Sequence, residues 1–187
     1  MTLLAYTDPS AQSARAFRIA LNALAHPGRL YEFEPLEAPQ PMSAAMAHLA
    51  LVLLDPTTAV ALEGHYACKA VQDWITFHTN APLVSAPEAD FVLCDMHTFT
   101  CVDHLKHGDP QYPDRSATVI GDISNTPLTP VQLRGPGIKD ETAATLPHVS
   151  MVMANAQRFP MGVDFFFTQG AQVIGLPRST KVSLSCM

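Results

Sequence analysis

The chain has 187 residues, 48% of them hydrophobic and 15% charged, with a net charge of −6 and a pI near 5.7. That balance excludes a disordered chain, and 11 Lys and Arg with no basic stripe exclude a protein that grips nucleic acid through its phosphates. The length predicts one domain over residues 1–187, able to bury a core without metal or disulfide staples.

The first element is a helix in SAQSARAFRIALNALAHPG, with Phe17, Leu21 and Leu24 at helical spacing, Ser10 or Ser13 as cap and Pro27-Gly28 as stop. YEFEPL alternates and predicts a short strand. PMSAAMAHLALVLLD predicts a second helix, capped by Ser43 and ended at Asp55-Pro56, and TAVALEG predicts a strand. YACKAVQDWITFHT predicts a helix with Val71, Trp74, Ile75 and His78 along one side. ADFVLCD reads as a buried strand, and residues 96–115 as a long loop. SATVIG and TPVQL predict strands, LPHVSMVMANAQRF a last helix, and GVDFFFT and AQVIGLP a hairpin turning at Gln169-Gly170. Early interleaving of helices and strands, followed by a strand-rich half, predicts an α/β sandwich with a mixed sheet.

The segment Met1–Ser10 lacks the basic start and apolar stretch of a secretory signal. Cys68, Cys94, Cys101 and Cys186 are scattered, so reduced thiols in the cytoplasm are expected. No uninterrupted apolar run approaches the ~18 residues of a spanning helix, so no membrane role is expected.

Several stretches invite a chemical reading, and each has a structural one beside it. LRGPGI has the glycines of a phosphate loop, but Pro136 removes an N–H at its centre and no Lys-Ser/Thr pair follows. Pro136 followed by Gly137 suits a type II turn instead. Cys94, His97, Cys101, His104 and His107 are spaced closely enough to raise zinc, yet Cys94 sits in a strand core and no tight knuckle is evident. Asp164 enters an apolar strand and must be paired there or lie near an edge. His78 closes a helix, where imidazole serves terminal carbonyls. Arg178 in LPRST stands before two hydroxyls, a grouping that grips phosphate or carboxylate, or forms a surface ion pair. Lys69, Lys106, Lys139 and Lys181 lie in polar surroundings that offer no Schiff-base pocket. Two chemical alternatives thus stand beside a purely structural role. One is an enzyme in which His78, Asp164 and Arg178 converge on a phosphate-bearing ligand, and the other is a zinc-binding protein using residues 94–107.

Seven stretches in order, FRIALNALAHPGRL, LALVLLD, FHTNAPLVSAPEADF, GDPQYPDRSAT, LRGPGI, FPMGVD and LPRST, resemble the PhnH subunit family of the bacterial carbon–phosphorus lyase system. The resemblance spans about residues 10–181. It implies a three-layer α/β/α sandwich with a mixed sheet, distantly similar to the large domain of pyridoxal-phosphate-dependent transferases but without the cofactor or its site. It also implies a homodimer, PhnG, PhnI and PhnJ as partners in a core complex, and PhnL as a functional partner. With those subunits the chain would support displacement of adenine from ATP by an alkylphosphonate, giving ribose 1-alkylphosphonate 5-triphosphate. The chain would be an accessory subunit in phosphonate catabolism, with no cofactor, no metal and no catalytic residue of its own. The motif positions carried over are Pro27, Gly28, His78, Asn80, Gly135, Gly137, Asp164 and Arg178.

Overall fold

The computed structural model describes residue 6 and residues 8–185; Cys186 and most of residues 1–7 lie outside them. In chain order the elements are α1 (Pro9–Ala25), β1 (Leu30–Glu32), α2 (Ala44–Leu53), β2 (Val60–Leu62), α3 (Lys69–Thr79), β3 (Phe91–Asp95) and β4 (Thr118–Asp122). They continue with β5 (Thr129–Arg134), β6 (Thr142–Leu146), α4 (Val149–Ala156), β7 (Asp164–Gln169), β8 (Gln172–Leu176) and β9 (Lys181–Leu184). Short 3-10 turns occupy Gly64–Tyr66 and Ala86–Glu88. Among the described residues no helix is long and apolar enough to cross a membrane.

Six strands form one mixed sheet in the order β1-β8-β7-β4-β3-β2. β2, β3, β4 and β7 are parallel, while β8 runs against both β7 and β1. The expected hairpin is β7–β8, but Gln169 pairs with Gln172, so the turn falls at Gly170-Ala171, one residue later than predicted. Successive side chains of a strand point to opposite faces, and β7 shows what that does. Phe166 joins the helical side, while Phe165 and Phe167 stack at 5.3 Å on the other. Each such burial contributes about 2–3 kcal/mol.

The α/β class is observed, but the two outer layers differ. α1, α2 and α3 cover one face, packing against Val60, Leu93, Ile120, Phe166 and Val173. The other face is covered by α4, the 96–107 loop and an antiparallel sheet of order β6-β5-β9. The expected α/β/α layering therefore needs correcting on that side, where strands supply much of the cover. TPVQL, predicted as a strand, is the centre of this smaller sheet. β6 and β9, which the sequence pattern did not suggest, are its edges. Both are short and mix small, polar and apolar residues, TAATL and KVSL, and take their partners from β5.

α2 begins as predicted, with Ser43 Oγ accepting the N–H of Met46. α1 departs from expectation twice. Its cap is Asp8, which accepts from Ala11. Its buried residues are Ala16, Ala20 and Ala23, while Phe17 and Leu21 are 50% and 58% exposed. The reason is distance: an ideal Cβ on Gly175 of β8 would lie 2.4 Å from the Ala23 carbonyl carbon. Helix and strand touch backbone to backbone, and only small residues fit between them.

Candidate functional site

Three of the motif stretches meet at Arg178. It follows β8 in a turn closed by the Thr180 N–H donating to the Pro177 carbonyl at 2.9 Å. Its own backbone N–H donates to Asp164 Oδ1 at 2.7 Å, and its Nη2 lies 3.4 Å from Asp164 Oδ2. Nη1 donates to the carbonyls of Pro113 and Gly162 and to Ser116 Oγ. Only a planar fork with five N–H groups can serve so many acceptors at once. The pair is mostly covered, with side chains 17% and 18% exposed. Asp164 is thus paired, as its place at the head of an apolar strand required. Arg178 joins GDPQYPDRSAT, FPMGVD and LPRST, its guanidinium turned onto the protein itself.

Arg158 makes a second knot beside it. It donates through Nη2 to Asp103 and through Nη1 to His107 Nε2 at 2.7 Å. Burial and the neighbouring guanidinium lower the His107 pKa, while the hydrogen bond from Arg158 lowers that of Asp103. The His107 carbonyl accepts the Gly162 N–H at 2.9 Å, tying this knot to the first.

The glycine motifs form a joint of another kind. The Ile138 N–H donates to the Gly135 carbonyl at 3.1 Å, with Gly137 at φ +82°, so residues 135–138 make the type II turn that Pro136-Gly137 predicted. An ideal Cβ on Gly137 would lie 2.0 Å from the Ala25 carbonyl oxygen at the end of α1. One on Gly28 (φ +80°), just after Pro27, would meet Leu133 Cδ1 at 2.6 Å. Gly135 faces the LPRST turn, 3.0 Å from the Ser179 carbonyl by the same measure. HPGRL, LRGPGI and LPRST therefore meet in contacts so close that these glycines have no room for a Cβ.

His78 and Asn80 lie elsewhere. Asn80 ends α3 in the left-handed region at φ 53°, its N–H donating to the Thr76 carbonyl. His78 sits against Trp74 at 4.6 Å and edge-on to Phe77 at 4.9 Å, and burial lowers its pKa. Asp164 and Arg178 are brought together, and His78 is not brought to them. A converging triad of these residues is therefore not formed.

The Cys/His stretch is also dispersed. Cys94 is buried in β3 beside Met96, and burial raises its pKa. His104 lies edge-on to Phe99, and His107 faces Arg158. Among the described residues no three His, Cys, Asp or Glu side chains are grouped as metal ligands. Of the lysines, Lys69 pairs with Asp73 and Lys106 with Asp90.

Two polar features escaped the sequence reading. His48, in the otherwise apolar α2, is 2% exposed. Its Nε2–H donates to the Glu34 carbonyl at 2.9 Å, and its Nδ1 accepts from Tyr6 at 2.7 Å. Both nitrogens are satisfied by the neutral ring, and burial lowers the His48 pKa and raises that of Tyr6 to about 12. A histidine inside AAMAHLALVL was the available signal. At the carboxyl ends of the parallel strands, Tyr66 donates to Asp122 Oδ2 at 3.0 Å, and its pKa is raised by burial and by that carboxylate. Ser124 donates to the other oxygen of Asp122 at 2.6 Å, so this carboxylate too is saturated by its own chain.

The family model for the bacterial phosphonate metabolism protein, PhnH, matches residues 4–183. The Rhizobium meliloti (strain 1021) protein named alpha-D-ribose 1-methylphosphonate 5-triphosphate synthase subunit PhnH is 31% identical, covering 95% of this chain and 94% of its own. The Stutzerimonas stutzeri C-P lyase subunit protein HtxG is 27% identical, covering 90% of this chain and 85% of its own.

Proposed function

The chain belongs to the PhnH family of bacterial phosphonate metabolism proteins, and from that membership we propose that it acts as an accessory subunit of the carbon–phosphorus lyase system. The observation that carries this is the match over residues 4–183, together with two relatives that both bear the name of a subunit. The geometry supports it. The charged pair at the motif positions is consumed by its own chain, Arg178 binding Asp164, Ser116 and two carbonyls, and outside the motifs Asp122 is taken up by Tyr66 and Ser124. Such groups hold loops in place.

The partners are PhnG, PhnI and PhnJ, with PhnL as a functional partner, and the free chain pairs as a homodimer in the cytoplasm. In the reaction it supports, the bond between ribose C1 and adenine N9 of ATP breaks, and a phosphonate oxygen takes that position. Adenine leaves, and the product is ribose 1-alkylphosphonate 5-triphosphate. This chain contributes architecture to that step. A mixed sheet in which β8 alone opposes its neighbours supports a distant likeness to pyridoxal-phosphate transferases. The test is co-expression with PhnG, PhnI and PhnJ followed by sizing of the purified material. A stoichiometric complex is expected, and elution of this chain by itself would overturn the assignment.

A further inference from the structure

α1 turns an apolar stripe outward. Phe17 and Leu21 are 50% and 58% exposed, Ala14 and Ala25 continue the line at helical spacing, and Leu24 is half-buried. Beside the stripe opens a cleft of about 200 Å³. α1 forms one wall, with Leu53 and Phe91 across from it and Phe166 among the lining residues. A soluble surface carries single exposed apolar residues without consequence, but a ridge next to an apolar hollow marks a contact site.

Charge identifies the kind of partner. Between Pro9 and Arg29 the chain has three arginines and no Asp or Glu, although the whole protein carries −6. Arg15 is held by Glu34 at 3.0 Å, and the nearest carboxylate in sequence, Asp8, caps the helix. Arg18 is exposed within the stripe itself, between Phe17 and Leu21. A second copy packed on this face would set α1 against α1 and bring arginine to arginine. A lipid surface would need a broad apolar face, whereas this one is a single narrow stripe beside one cleft. We propose that this face docks an amphipathic segment of another subunit, which sends an apolar side chain into the cleft and sets a carboxylate against Arg18. The proposal rests on the accessory-subunit assignment and adds the surface and the chemistry of its partner.

The test titrates purified chain onto the remaining co-expressed subunits, using wild type, Leu21→Ser, Arg18→Glu and, as a control, Leu184→Ser. Leu184 is 59% exposed on β9, outside this face. Leu21→Ser is expected to weaken binding about tenfold or more. Arg18→Glu should weaken it several-fold at low salt, with the difference fading at high salt. Leu184→Ser should bind like wild type, and all variants should melt near it. Equal affinity of Leu21→Ser and wild type would overturn the docking site while leaving the subunit assignment standing. So would a homodimer of the isolated chain that Leu21→Ser dissociates, or wild-type binding to phosphatidylglycerol vesicles that Arg18→Glu abolishes. Failure of wild type itself to bind the other subunits would sink the assignment and the site together.

Discussion

Six of the eight motif residues gather at two joints that hold by opposite means. At the glycine joint, LRGPGI meets the end of α1 through contacts so close that Gly137 has no room for a methyl group against the Ala25 carbonyl. At the Arg178 joint, three loops are kept apart at hydrogen-bond distance and joined through one guanidinium. The first depends on missing atoms and the second on a particular set of donors. Both hold loops of the fold in fixed positions.

The contrast predicts different sensitivities, and the largest is at the glycine joint. Gly137→Ala must accept positive φ and displace the end of α1, so a loss of about 3 kcal/mol or more is expected. For a chain of this size that lowers the melting temperature by about 10 °C in calorimetry. A normal melt would show that the contact relaxes freely. Arg178→Ala should cost about 2–3 kcal/mol, because it strands Asp164 in a mostly covered site. Arg178→Lys should recover less than half of that loss in the same measurement, since a point charge cannot serve the carbonyls, the hydroxyl and the carboxylate together.

A third prediction concerns pH. His48 is held neutral in the fold, its pKa below the ordinary 6.5, so below about that pH the unfolded chain binds the extra proton. Stability is full above pH 6.5 and is lost as pH falls toward the lowered value. His78 and His107 have the same sign. Thermal melts from pH 7.5 to 5 should therefore fall, and His48→Gln should flatten the slope in part. An unchanged slope would mean that His48 titrates alike in the folded and the unfolded chain. The smallest stability effect is expected at the exposed stripe, where Leu21→Ser should change stability by about 0.5 kcal/mol or less.

Much of the fold was legible because its signals are local. Ser43 caps α2, apolar runs mark β3 and β4, and Pro136-Gly137 makes the type II turn. The α1 face was misread because hydrophobicity ranks Phe and Leu above Ala, whereas close approach to Gly175 selects by size. β6 and β9 were hidden because short edge strands without a sustained apolar run take their identity from the strand they pair with. At the site, the residue types Asp164 and Arg178 could be picked out. Their partners could not, since Pro113 and Ser116 lie 65 and 62 residues before Arg178 and only the folded sheet brings them near.

The most direct measurement is adenine release from ATP and methylphosphonate. An accessory role predicts none from this chain by itself, release from the full set of subunits, and loss of that release when this chain is withheld. Adenine released by the isolated chain, or undiminished release by the set without it, would contradict that role.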